Sequence, residues 1–361
     1  MSFLPSTTPL QLIDPGGKPG ANPGDLGLPG REVLADLHRR MVLGRRFDAE
    51  AMALARQGGL AVYPSSRGQD ACQVGAVLAL RGTDWLFPTY RDSVAIITRG
   101  VNPAEALTLL RGDWHCGYDP YQYNIAPQCT PLATSAVHAV GFAHAARLKH
   151  ADQVALVMLG DGATSEGDTH EALNFAAVWK APVVFLVQNN GYAISVPLAK
   201  QTAAPSLAAK GIGYGIPGML IDGNDAAAVY AATRAAIDRA AAGDGPTLIE
   251  AITYRIEAHT SADDATRYRD RAEVEQWLAR DPIDRLAAYL TSHGMLTEEA
   301  IGRLADEAEQ FAARVRDQVT REAPLDPNDL FDHVYAHPTA ALEQQRATLL
   351  AEIAEVQEYA R

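Results

Sequence analysis

At 361 residues, with a formal net charge of -13 and three cysteines, the chain can bury a large core, and one big α/β domain with appendages or two domains both fit. The acidic balance excludes a nucleic-acid partner, which needs clustered Lys and Arg. Cys72, Cys116 and Cys129 form no Cys-x-x-Cys pair, no apolar run approaches the roughly 20 residues of a membrane span, and the N-terminus shows no basic-then-apolar leader, so a soluble cytoplasmic protein with free thiols and no membrane partner is expected.

Residues 1–30 hold six prolines and six glycines without periodicity, which predicts an extended arm outside the core. Regular structure is expected from residue 31, where Val33, Leu34, Leu37 and Met41 mark an amphipathic helix and open an α/β domain over residues 31–295. Next, Trp85-Leu86-Phe87-Pro88-Thr89-Tyr90-Arg91-Asp92 sets a phenol and a guanidinium after a proline turn. A guanidinium suits a diphosphate oxygen because its donors are planar and paired, although a Tyr-Arg pair in a loop also serves structure alone. Cys129-Thr130-Pro131-Leu132-Ala133-Thr134-Ser135 opens an Ala-rich helix reaching about residue 148, with hydroxyls at its start as natural caps.

The apolar run Val154-Ala155-Leu156-Val157-Met158-Leu159 reads as a buried parallel strand closed by Gly160-Asp161-Gly162. A helix over residues 169–180 follows, with Ala172, Phe175, Ala176 and Trp179 at helical spacing, and Pro182 ends it before Val183-Val184-Phe185-Leu186-Val187. That second strand delivers Gln188-Asn189-Asn190-Gly191-Tyr192. A right-handed crossover puts both strand ends on one sheet edge, where ligands of open α/β sheets bind. There Asp161 offers a hard anionic oxygen, Asn190 an amide oxygen and Tyr192 its backbone carbonyl. Magnesium completes such a set with phosphate and water oxygens. Gly160 and Gly162 let backbone approach the ligand, and a following helix N-terminus favours negative charge. A dinucleotide fingerprint would need glycine or alanine where Ser165 stands.

Downstream, Thr247-Leu248-Ile249-Glu250-Ala251-Ile252-Thr253-Tyr254-Arg255 is a strand leading to His259 in a loop of hydroxyls and carboxylates, where a histidine can move protons, bind phosphate or simply be solvated. Residues 296–361 read as a charged helical extension broken around residues 324–327.

With these segments in order, the chain resembles the alpha subunit of the thiamin diphosphate-dependent, decarboxylating first component of 2-oxo acid dehydrogenase complexes. The likeness covers about residues 31–350. It is carried by the Gly160-Asp161-Gly162 and Asn189-Asn190 pair, by Thr169-His170-Glu171-Ala172-Leu173-Asn174-Phe175-Ala176-Ala177, and by His259-Thr260-Ser261-Ala262-Asp263-Asp264. The resemblance implies a thiamin diphosphate-binding α/β fold, a mostly parallel sheet flanked by helices on both faces, with a helical C-terminal region. It also implies that Asp161, Asn190 and the Tyr192 carbonyl hold Mg2+, that Gly162 and Ala163 line the diphosphate, and that Tyr90 and Arg91 reach it. Leu132 would present backbone near the aminopyrimidine ring. His259 would act at the reaction centre, its loop braced by Arg255 and Asp263. Two positions depart from the pattern: Gln188 replaces a phosphate-binding arginine, and Ser135 replaces a glutamine of a structural potassium site. Thr260 stands where mitochondrial relatives carry a regulatory phosphoserine.

The activity so implied is oxidative decarboxylation of a small 2-oxo acid, with the cofactor as electron sink and the acyl group passed to a lipoyl-bearing acyltransferase. The carboxylate that the aminopyrimidine ring requires is not assignable in this chain, so a beta subunit would supply it within an α2β2 heterotetramer. Pro131-Leu132-Ala133-Thr134 and Thr253-Tyr254-Arg255-Ile256 look closer to branched-chain enzymes than to pyruvate enzymes, the alternative. An inactive scaffolding homologue is the non-enzyme alternative, and it would have no use for these ligands.

Overall fold

The computed structural model describes residues 4–112, 116–321 and 326–359. Five strands build its main sheet: β1 (Trp85–Phe87), β2 (Ala155–Gly160), β3 (Val183–Asn189), β4 (Gly218–Asp222) and β5 (Thr247–Ile252). They pair in the order β1-β2-β3-β5-β4, every pair parallel. All strand ends therefore leave from one edge. The register levels the two that matter most, with Gly160 opposite Gln188 and Asn189 opposite Ile252.

Strand alternation sends side chains to two separate cores. Leu156, Met158, Val184, Leu186 and Ile249 pack on one face against α2 (Asp70–Ala79) and the helix Ala226–Ala241. Ala155, Val157, Leu159, Phe185 and Val187 pack on the other against the helices Thr134–Leu148 and Gly167–Trp179. Small residues on those helices, Ala136, Ala139, Ala143, Ala172 and Ala176, are buried against the sheet and let the helix axes come close. A helix, α1 (Arg31–Arg56), precedes α2 and buries Leu34, Leu37, Met41 and Phe47. Among the described residues no helix is long and apolar enough to cross a membrane.

Two expectations of domain layout need correction. The N-terminal arm is extended, but it is not outside the core: Leu12 and Ile13 are buried. Leu10 bridges Ile221 in parallel, donating to the Leu220 carbonyl and accepting from Asp222 N–H, both at 2.9 Å. The reason is that β4 is an edge strand whose free N–H and C=O groups need covering. Asp225 then pins the arm, one carboxylate oxygen accepting from Leu12 and Ile13 N–H at 2.7 Å each, while the other caps the helix Ala226–Ala241. The C-terminal boundary also moves. The compact units are residues 1–316 and 317–361, because the helix Glu298–Thr320 buries Leu304, Ala308, Ala312 and Val315 along one stripe. The second unit contains the helices Asp329–Asp332 and Ala340–Tyr359. Of the break expected around residues 324–327, residues 324 and 325 lie outside the described residues.

The arm provides a direct test of this anchoring. Asp225→Ala orphans two buried arm N–H groups and removes a helix cap, so it is expected to cost about 3–5 kcal/mol. Denaturant unfolding measures the loss, and limited proteolysis should show earlier cutting within residues 5–25.

Candidate active site

A cavity of about 460 Å3 opens at the C-terminal strand edge, walled by the segments that follow β1, β2, β3 and β5. Every site residue expected from the sequence lines it: Tyr90 and Arg91 after β1, Asp161, Gly162 and Ala163 after β2, Asn190 and Tyr192 after β3, His259 after β5, and Leu132 just ahead of the helix Thr134–Leu148. Tyr90 N–H donates to the Cys129 carbonyl at 3.1 Å, which stitches the Leu132 segment to the end of β1.

Asp161 is the first residue past β2 and only 1 % exposed. Its Oδ2 accepts from Gln201 Nε2 at 2.7 Å, and no cation lies within ion-pair distance among the described residues. Burial pushes its carboxyl pKa up, while the Gln201 hydrogen bond and the more distant Arg255 pull it down. A desolvated carboxylate with a neutral partner is a group poised to accept a cation. Gly162 is required because a Cβ there would stand 2.8 Å from Ala193 Cβ. The turn after Gly162 is a 3-10 helix, Gly162–Ser165, so the long helix begins only at Gly167 and is not what meets Asp161 directly. Thr164 N–H is spent on the Asp161 carbonyl at 3.1 Å.

Asn190 is buried, with Oδ1 accepting from Tyr192 N–H at 3.2 Å and Nδ2 donating to Gln69 Oε1 at 3.0 Å. The Tyr192 phenol donates to Glu273 Oε2 at 2.8 Å, and Tyr192 also lines the cavity. No group of three or more His, Cys, Asp or Glu is gathered for a metal among the described residues. A divalent ion here would rest on one carboxylate and neutral oxygens, a set that suits magnesium when phosphate and water supply the remainder.

Opposite charge is concentrated on Arg91 and Arg255, 5 % and 1 % exposed. Arg91 donates to the Ser65 carbonyl at 3.0 Å and to the His259 carbonyl at 2.9 Å, and its Nη2 lies 3.1 Å from His259 Nδ1. Arg255 donates to the Ile194 carbonyl at 2.7 Å and the Tyr268 hydroxyl at 2.9 Å, with Nη1 at 3.4 Å from His259 Nδ1. No carboxylate is within ion-pair distance of either guanidinium among the described residues. The Nε of Arg255 is buried without a partner among the described residues, and burial with the neighbouring Arg91 pushes its pKa down. Two desolvated cations without carboxylates make a wall that favours an anion. Ile194, which lines the same wall, holds φ at +56°, a left-handed conformation costly for a β-branched residue.

With two guanidiniums directed at Nδ1, His259 must accept there, and its proton sits on Nε2. Burial, then Arg91 and Arg255, lower its pKa from 6.5 to about 4, against a smaller opposing pull from Asp263. Asp263 accepts from His259 N–H at 2.8 Å and from the Tyr268 hydroxyl, so Arg255 and Asp263 both brace the loop. His259 at neutral pH is an uncharged N–H donor.

Several functional neighbours were not singled out in the sequence. Gln69 enters from the start of α2. Val62, Leu110 and Ile194 add apolar wall. Glu166 is exposed at the rim and is, with Asp161, the carboxylate content of the lining. Ser65 and Ser66 are held by Asp48, which accepts from Ser65 Oγ and Ser66 N–H at 2.6 Å each, and Ser66 Oγ in turn donates to the Arg91 carbonyl at 2.7 Å. Gln188 is 2 % exposed and bonded at both ends, donating to Asp92 at 2.7 Å and accepting from Gln69 at 2.9 Å. Ser135 is buried outside the lining, its hydroxyl without a partner among the described residues.

Residues 38–328 match the family described as dehydrogenase E1 component. The chain is 48% identical over 347 residues to 3-methyl-2-oxobutanoate dehydrogenase subunit alpha of Mycobacterium tuberculosis, covering 96% of this chain and 94% of that relative. It is 43% identical over 279 residues to a pyruvate dehydrogenase E1 component subunit alpha of Staphylococcus aureus, covering 77% and 75% of the two chains. A pyruvate dehydrogenase E1 component subunit alpha of Acholeplasma laidlawii is 36% identical over 320 residues, covering 87% and 92%.

The neutral state of His259 has a measurable consequence. An unfolded histidine takes up a proton near 6.5 and the folded ring only near 4. Between those values the unfolded chain binds more protons, so this residue's contribution makes stability fall as pH drops through that window. In protein carrying 13C-labelled histidine, the resonance missing from His259→Gln should not shift between pH 8 and pH 5. A midpoint above pH 6 would refute the assignment.

Proposed function

The chain belongs to the dehydrogenase E1 component family, and on that footing we propose that it is the alpha subunit of a branched-chain 2-oxo acid dehydrogenase that binds thiamin diphosphate with Mg2+. The observation that carries the reading is charge complementarity within one cavity: among the described residues a buried carboxylate, Asp161, has no cation within ion-pair distance, and two buried guanidiniums, Arg91 and Arg255, have no carboxylate there. A magnesium diphosphate satisfies both, its cation on Asp161 and its phosphate oxygens toward the arginine side.

In this reading Asp161, Asn190 Oδ1 and the Tyr192 carbonyl hold the metal, and the backbone of Gly162 and Ala163 borders the diphosphate. Tyr90 and Leu132 supply wall for the organic part of the cofactor. When bound, the cofactor supplies the electron sink for decarboxylation of a 2-oxo acid. His259, an uncharged N–H donor held by two cations, orients and stabilises a developing oxyanion by hydrogen bonding and contributes no charge of its own. The carboxylate for the aminopyrimidine ring comes from a beta subunit, and the acyl group leaves on a lipoyl-bearing acyltransferase. The substrate class rests on the mycobacterial relative named for 3-methyl-2-oxobutanoate, which covers more of the chain at higher identity than the pyruvate dehydrogenase subunits.

The test is co-expression with a beta chain and assay with 3-methyl-2-oxobutanoate against pyruvate. The pair should decarboxylate the branched acid with the higher kcat/KM, and the alpha chain alone should be inactive. Turnover by the isolated chain that vanishes in Glu166→Gln would transfer the ring carboxylate to this subunit. Loss of even an outer partner of a metal ligand costs roughly 10- to 100-fold, so Asp161→Ala should weaken Mg2+-dependent thiamin diphosphate binding by more than about 100-fold in calorimetry. Unchanged affinity removes Asp161 from the metal site.

A further inference from the structure

Asn190 poses a problem of direction. A carboxamide has an oxygen and an NH2 of nearly equal size, and only the oxygen can meet a cation. Resting on the reading of Asp161 and Asn190 as metal ligands, we propose that Gln69 and Gln188 are positioning residues: with Asp92 they form a buried, one-directional chain of hydrogen bonds that holds the Asn190 oxygen toward the metal.

Three links make the chain. Asn190 Nδ2 donates to Gln69 Oε1 at 3.0 Å, Gln69 Nε2 to Gln188 Oε1 at 2.9 Å, and Gln188 Nε2 to Asp92 Oδ1 at 2.7 Å. All four side chains are buried, the most exposed being Asn190 at 6 %, so a reversed link, with like groups facing each other, is costly. Direction is imposed from the Asp92 end. Burial pushes the Asp92 pKa up against the pull of the Gln188 and Thr89 hydrogen bonds; as a carboxylate it offers lone pairs only, and it already receives Thr89 N–H and Thr89 Oγ1 at 2.7 Å each on its other oxygen. Gln188 must therefore present its NH2 to Asp92 and its oxygen to Gln69. Gln69 must then present its own oxygen to the Asn190 NH2. From the opposite end, Tyr192 N–H at 3.2 Å requires the Asn190 oxygen on its side. The two ends agree.

The backbone is shaped to admit this chain. Gly68, immediately before Gln69, has φ +96°, and a Cβ there would stand 2.0 Å from the Tyr254 carbonyl oxygen. Thr253 Oγ1 donates to the Gly68 carbonyl at 2.6 Å, fixing the entry to α2 against the extension of β5. Glycine is thus what allows Gln69 to sit between β3 and the segment after β1.

The experiment uses Mn2+ as the probe, bound with thiamin diphosphate to the chain co-purified with its beta subunit and followed by electron paramagnetic resonance. Gln69→Met, similar in volume but unable to donate or accept in the chain, should weaken Mn2+ binding by about 10- to 30-fold, the lower part of the roughly 10- to 100-fold range for outer partners of metal ligands. Gln188→Met, one link farther away, should lose about threefold and serves if Gln69→Met does not fold. The decisive readout is rescue. Asn190→Asp carries two oxygens and needs no orientation, and in the Gln69→Met background it also escapes the Gln69 oxygen. It should therefore raise Mn2+ affinity at least about fivefold more there than in the parent chain. Equal gains in both backgrounds would mean that added charge, not orientation, is at work and would overturn the proposal, as would Mn2+ affinity within twofold of the parent for both methionine variants. Asp161→Ala separates the two readings. If it leaves Mn2+ binding intact, the metal site itself is misassigned; if it abolishes binding while Gln69→Met does not weaken it, only the amide chain is refuted.

Discussion

Everything at the site depends on the parallel pairing of β2 with β3 and of β3 with β5. Backbone hydrogen bonds in this ladder hold Gly160 level with Gln188 and Asn189 level with Ile252, so Asp161, Asn190 and the Thr253 to His259 segment emerge side by side. A one-residue slip would turn every side chain of the moved strand to the opposite face. Two buried cores forbid that slip, because Val157 and Leu159 belong to one and Leu156 and Met158 to the other. The apolar alternation is thus what gives the polar residues past the strand ends their common address.

On that frame the protein places charges that do not neutralise one another. Arg91 and Arg255 face His259 and main-chain carbonyls, while Asp161 faces the amide of Gln201. Each group carries a desolvation cost that a carboxylate-guanidinium pair would have reduced. The price in stability is what makes the cavity receptive to a ligand with a cation at one point and anionic oxygens at another. The strained Ile194 at φ +56° is of the same kind, a locally unfavourable backbone held because its carbonyl receives Arg255. His259 shows how the same charges set a chemical role. Burial, then the two guanidiniums beside Nδ1, disfavour the imidazolium, and the guanidiniums fix the tautomer, turning a residue that ordinarily titrates near neutrality into a neutral hydrogen-bond donor.

Much of this architecture was legible in one dimension because short-range rules governed it. Continuous apolar runs ending at Gly160 and at Gln188-Asn189 marked parallel strands, and the residues just past them line the cavity, since strand ends are where such sheets bind. Elsewhere long-range contacts overrule local composition. Proline and glycine spacing in residues 1–30 indicates an arm, but nothing local says that β4 is an edge strand needing cover, or that Asp225 would take up Leu12 and Ile13. The helix Glu298–Thr320 looks like the start of an extension until its stripe through Leu304 and Val315 is found buried.

Local sequence signals fix the chemistry on offer: a hard carboxylate in a glycine turn, a paired amide, a Tyr-Arg step and a histidine past a strand, each placed by strand and turn signals within a few residues. How those groups are biased depends on contacts between segments far apart in the chain. Gln188 reads as a lost phosphate contact in the sequence, yet in the fold it links Asp92 to Gln69, residues 96 and 119 positions away along the chain. The protonation of His259 depends also on Arg91, 168 positions away, and the facing direction of Asn190 on Gln69, 121 positions away. Electrostatic and hydrogen-bonding fields act through space, and their strength depends on exclusion of water, which no local stretch of sequence encodes.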